Sequence, residues 1–126
     1  MKRRGCVKLF FKSICFLLFF LGHDSGPAWE AAFQNTYIQF VKNVTTRYQN
    51  PKLPIFVAQG PMNCGANLNA SLQIVVSAVN AAGGAAYYLP MCTQIANDGC
   101  GGHPGVVASE LMFQQAQPVI AKVMGW

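Results

Sequence analysis

Leu53-Pro54-Ile55-Phe56-Val57-Ala58 runs directly into Gln59-Gly60-Pro61-Met62-Asn63. A short apolar run bounded by turn formers reads as a strand buried on both faces, and Gly60-Pro61 ends it. Upstream, Phe33, Tyr37, Phe40, Val41, Val44 and Tyr48 recur at three- and four-residue steps between Trp29 and Tyr48. That spacing lays one apolar face along an amphipathic helix, which Asn50-Pro51 stops. Downstream, Leu68, Leu72, Val75, Val76 and Val79 form a second helical stripe, and Gly83-Gly84 is its C-terminal stop. Ala85 to Leu89 reads as a second strand, and Val106 to Met124 as a last helix with a kink expected at Pro118.

The order helix, strand, helix, strand, helix, with strands that read as continuous apolar runs, predicts an α/β fold with a short parallel sheet covered on both faces. Ligands of such sheets bind beyond the carboxyl ends of the strands. Gly60-Pro61-Met62-Asn63 and the loop after the second strand both leave from that edge. Two strands make a small sheet, so the chain reads as the back half of a larger α/β domain.

The loop after the second strand carries the chemistry. Asn97-Asp98-Gly99-Cys100-Gly101-Gly102-His103-Pro104-Gly105 holds one of the two histidines of the chain, a carboxylate five residues before it, and three intervening glycines. Glycines open turns closed to other residues and leave the imidazole uncrowded. Pro104 stiffens the exit toward the helix that begins at Val106. His103 therefore sits where a loop enters a helix, a place where catalytic groups concentrate. A surface turn with an incidental histidine is the plain alternative.

The chain has 126 residues, 52% hydrophobic and 10% charged, enough for one modest domain. Its formal charge of +5 is carried by Lys2, Arg3, Arg4, Lys8 and Lys12. Beyond them, Lys42, Arg47, Lys52 and Lys122 balance Asp24, Glu30, Asp98 and Glu110. No basic face is left for nucleic acid, which is not an expected partner. The leading positives precede an apolar run ending at Leu21, the pattern of a secretory signal peptide. Residues 1–28 are read as that leader, with cleavage after Ala28, and residues 29–126 as the domain. Secretion is the expected destination. An uncleaved leader would anchor the chain to a membrane through residues 9–21, its single expected membrane contact. Asn43-Val44-Thr45 and Asn69-Ala70-Ser71 are glycosylation sequons.

Cys6 and Cys15 fall in the leader, which leaves Cys64, Cys92 and Cys100. In an oxidising compartment Cys92 and Cys100 are the disulfide candidates, tying the loop that presents His103. A bridge from Cys64 to Cys92 or Cys100 is the competing arrangement. The cysteines and histidines lack paired metal-ligand spacing, so no metal or other cofactor is expected.

Tyr37-x-x-Phe40-Val41, Pro54-Ile55-Phe56-Val57-Ala58-Gln59-Gly60-Pro61-Met62, Asp98-Gly99-Cys100-x-x-His103-Pro104 and Met124-Gly125-Trp126 together resemble the SGNH hydrolases, closest to the carbohydrate esterases of family 2. The resemblance covers roughly residues 21 to 126. It implies the C-terminal half of a three-layer α/β/α, flavodoxin-like domain, an ester hydrolase chemistry, and an acylated carbohydrate or another small ester as substrate.

The family is named for a serine nucleophile, a glycine and an asparagine that bind the oxyanion, and a histidine base. The histidine block falls on His103. Its usual aspartate would stand three residues earlier, where this chain has Cys100; Asp98 lies two residues further back and is the candidate to orient His103. Family members that orient the histidine with a backbone carbonyl leave a Ser-His dyad open. The asparagine block has a degenerate counterpart in Leu21-Gly22-His23-Asp24-Ser25, with Asp24 in place of the donor. An ionised carboxylate there accepts only and repels developing negative charge.

The serine block, expected more than a hundred residues before the histidine, has no counterpart. Ser25 echoes Gly-Asp-Ser and is the catalytic candidate by motif, yet it precedes His103 by only 78 residues. Two accounts cover this. One is a truncated reading of the gene, with residues 1 to about 20 foreign to the protein; the other is a short secreted relic without catalysis. The first is favoured because the leader runs straight into the asparagine block. The expectation is the C-terminal part of a secreted sugar acetyl esterase, inactive as given, with a non-catalytic secreted binding or structural module as the alternative.

Overall fold

A computed structural model describes residues 16–20, 27–61, 64–93, 95 and 98–126. Strand β1 (Phe16–Phe20) leads to helix α1 (Pro27–Arg47), strand β2 (Ile55–Gln59), helix α2 (Ala66–Ala81), strand β3 (Ala86–Leu89), a 3-10 turn at Cys100–Gly102, and helix α3 (Val106–Met124). The strands form one parallel sheet in the order β1-β2-β3.

The three helices and the two strands β2 and β3 stand where the apolar spacing predicts them. The sheet has one strand more. Phe16–Phe20, which fall inside the segment read as leader, pair with β2 from Phe16↔Ile55 to Phe20↔Gln59. A brief apolar run satisfies a leader and a buried parallel strand equally, and periodicity cannot separate the two.

All five residues of β2 are buried, as a central parallel strand requires. Alternation sorts them into two cores. Ile55 and Val57, with Ala86 of β3, pack against Val41 of α1 and Leu68, Leu72, Val75 and Val79 of α2. Phe56 and Ala58, with Leu89, pack against Ala116, Met112, Val119 and Ile120 of α3. Two helices thus cover one face and one helix the other, which is the three-layer α/β/α arrangement. Each fully buried aliphatic or aromatic side chain here contributes about 1.5–3 kcal/mol over its exposed state.

Helix α2 stops where Gly83-Gly84 predicts. Gly83 takes a left-handed φ of 85°, its N–H donates to the Asn80 carbonyl, and the Gly84 N–H donates to the Val79 carbonyl. This is the paired C-terminal motif that satisfies orphan carbonyls at a helix end. The chain turns there within a few residues and enters β3 alongside β2. Helix α3 continues through Pro118 to Met124.

Candidate functional site

The carboxyl ends of β2 and β3 lie side by side, since Ala58 registers with Leu89. The loops that leave them meet at once. Gln59, 2% exposed, donates from Nε2 to the Gly65 carbonyl at 3.0 Å and accepts at Oε1 from the Tyr88 hydroxyl at 3.3 Å. A buried amide must be satisfied in this way or it costs free energy. One side chain therefore ties β2, β3 and the start of α2 together at the edge where a ligand of this fold class binds.

A disulfide reinforces the same junction. Cys64 is bonded to Cys92, with their Cα atoms 5.4 Å apart, and the Cys92 sulfur rests 3.3 Å from the Gly60 carbonyl oxygen. The expected Cys92–Cys100 pair is thereby corrected: Cys100 is a free, exposed thiol on the 3-10 turn. Nearness in sequence favoured the eight-residue step. Adjacency of two parallel strands instead carries Cys64 across to Cys92 over a separation of 28 residues.

Beyond Cys92 the chain reaches the histidine loop. Its tip is the 3-10 turn, closed by a hydrogen bond from the His103 N–H to the Cys100 carbonyl at 3.1 Å. Gly101 takes a left-handed φ of 61°, and a Cβ placed there would sit 3.8 Å from Cδ2 of His103. The imidazole thus lies over Gly101 and is exposed. Among the described residues, no side chain is hydrogen-bonded to the ring.

Asp98 is engaged elsewhere. The Val107 N–H donates to its Oδ1 at 3.2 Å and the Ala108 N–H to its Oδ2 at 2.8 Å. These are early donors of α3, left without intrahelical partners by helix geometry. The residue at the N-cap is Gly105, which has no side chain to offer them. Asp98 supplies the missing cap from seven positions upstream. The sequence pattern for a cap looks for Ser, Thr, Asp or Asn at the cap position itself, so nothing in it announces this role.

Of the serines, Ser71 is buried and its hydroxyl accepts from Nε2 of Gln34 at 3.0 Å, while Ser109 donates to the Gly105 carbonyl at 2.7 Å. Ser77 is exposed on α2. The candidate Ser25 and the rest of the 21–25 counterpart lie outside the described residues, as do Met62, Asn63 and Asn97. Among the described residues, no group of three or more potential metal ligands comes together. No helix among them is long and apolar enough to cross a membrane.

Two solved structures share this architecture. One is a family two carbohydrate esterase from Clostridium thermocellum in complex with cellohexaose, 22% identical with a TM-score of 0.71, covering 89% of this chain and 36% of its own. The other is a Corynascus thermopiles (Myceliophthora fergusii) carbohydrate esterase family 2 enzyme plus carbohydrate binding domain. It is 19% identical with a TM-score of 0.71 and covers 89% of this chain and 37% of its own. The fold is that of one part of these family 2 carbohydrate esterases. The chain spans little more than a third of the length of these enzymes. No family model matches the sequence, and no curated protein does. The resemblance read from the motifs around β2 and His103 is therefore borne out at the level of the fold, and the chain is esterase-like in architecture.

Proposed function

We propose that the chain is the histidine-bearing part of a secreted carboxylic-ester hydrolase that removes acyl groups, acetyl foremost, from sugars. The observation that carries this is the exposed His103 on the loop beyond β3, within a fold shared with family 2 carbohydrate esterases. In this reading His103 takes the proton of a serine hydroxyl as it attacks the ester carbonyl, then returns it to the departing sugar alcohol. A carbohydrate substrate is supported by the cellohexaose bound to the Clostridium enzyme. Export to an oxidising compartment is supported by the Cys64–Cys92 bridge.

Ser71 and Ser77 lie within α2 and Ser109 within α3, so no described serine stands on a sharp strand-to-helix turn, and the chain by itself is expected to release little or no acetate. Assay of the purified chain and its His103→Ala variant on an activated acetate ester checks this, and hydrolysis well above the variant overturns it. Reading the transcript upstream of Met1 tests the larger assignment. An in-frame strand followed by Gly-Asp-Ser supports the hydrolase; an authentic start without one leaves the non-catalytic secreted module. N-terminal sequencing of the exported protein tests the leader, because a start at Trp29 removes β1 and a start before Phe16 keeps it.

A further inference from the structure

We infer that Asp98 is a positioning residue for His103, acting through the backbone by fastening both ends of the histidine loop to the start of α3; the inference rests on His103 as the base of the proposed reaction. The carboxylate spans two successive donors of α3, at 3.2 Å and 2.8 Å. Its negative charge also sits at the positive end of that helix dipole.

The same residue closes the loop on itself. A Cβ on Gly105 would overlap the Asp98 carbonyl and approach Cγ of Asp98 to 2.7 Å. A Cβ on Gly99 would overlap the His103 carbonyl and come within 3.0 Å of the Gly105 nitrogen. Asp98-Gly99 and Pro104-Gly105 therefore lie backbone against backbone as a neck. Residues 100–103 are the tip that this neck pushes outward, and His103 is the last of them. With the cap in place, the neck is fixed to a helix of 19 residues that is packed on the sheet. The ring then lies over Gly101.

The test uses the full chain, labelled for NMR, in which the His103 titration, the amide exchange of Val107 and Ala108, and the contact between the His103 ring and Gly101 are followed together. Asp98→Ala is expected to speed exchange of the two amides by about tenfold or more, as loss of a helix cap does. It is also expected to abolish the ring-to-Gly101 contact while leaving the His103 midpoint in place. Asp98→Asn keeps one of the two acceptor oxygens, and is expected to restore slow exchange at one of the two amides together with the ring contact. A purely structural role would loosen α3 in Asp98→Ala with the ring contact intact, and that result overturns the inference. So does a His103 midpoint lowered by about one unit or more in Asp98→Asn, the signature of a carboxylate acting on the imidazole directly. None of these readouts depends on ester hydrolysis, so the inference can fail while the proposed function stands.

Discussion

The side chain of Asn80 forms a two-point bridge to the backbone of Ala86. Its Nδ2 donates to the Ala86 carbonyl at 2.9 Å and its Oδ1 accepts from the Ala86 N–H at 2.8 Å. The last turn of α2 thereby sets where β3 begins, and it does so across the tight Gly83-Gly84 turn. Ala86 is buried, so loss of the amide leaves one donor and one acceptor without their partner.

Asn80→Ala is accordingly expected to cost about 1–3 kcal/mol in urea unfolding. Asn80→Asp keeps the acceptor and loses the donor, and is expected to fall between the variant and the parent. Equal stability of all three would show that the bridge is dispensable.

A second prediction concerns the disulfide. Closing a loop of 28 residues is expected to stabilise the chain by about 3–4 kcal/mol on the chain-entropy estimate. Cys92→Ser should lose that amount, while Cys100→Ser should leave the unfolding midpoint unchanged. A non-reduced peptide map is expected to link Cys64 to Cys92 and to leave Cys100 open to alkylation. A Cys92–Cys100 peptide in its place would contradict the structure.

Glycines at two turns should respond differently to a methyl group. Gly83 has a left-handed φ with open space around it, so Gly83→Ala costs backbone strain alone, about 1–2 kcal/mol. Gly105 is crowded by Asp98, and Gly105→Ala has to break the neck of the histidine loop. Denaturant titration should therefore rank Gly105→Ala as the more damaging of the two. The reverse order would mean that the neck gives way easily.

At high pH Tyr37 becomes the sensitive point. It lies half-buried between Phe33 and Phe40, with ring centroids 5.6 Å and 6.5 Å away, and burial pushes its phenol above the ordinary tyrosine range. Burial shifts Tyr88 in the same direction. An unfolded tyrosine ionises near pH ~10, so the folded state holds its proton longer than the unfolded state does. The stability is fully present below that pH and is lost as the pH rises through the folded value. Tyr37→Phe is expected to make the alkaline loss of helical circular dichroism shallower. An unchanged profile would remove Tyr37 as its source.

The fold was legible wherever one physical signal had one reading. Val41 and Val44, or Leu68 and Leu72, recur at a spacing that suits a helix face, and Ile55 to Ala58 are too short and too apolar for anything but a buried strand. Phe16–Phe20 had two readings, because a leader and a buried strand ask for the same side chains. Cys64 and Cys92 were ambiguous for another reason: which cysteines meet depends on which strands are neighbours, and spacing along the chain carries little of that. His103 stood out because glycines and a proline surround it. Asp98 stands out in the sequence only as a carboxylate near His103, since the folded loop alone brings it to Val107 and Ala108.

Presentation and support are separated at the histidine. The neck at residues 98–99 and 104–105 meets α3 through backbone atoms and one carboxylate, and residues 100–103 form the tip beyond it. Exchange of a tip residue alters the chemistry offered to a ligand and leaves the helix where it is. Exchange of a neck residue disturbs helix and histidine together. Evolution or design can therefore exchange an exposed tip side chain such as Cys100 by itself, but the neck only as a set.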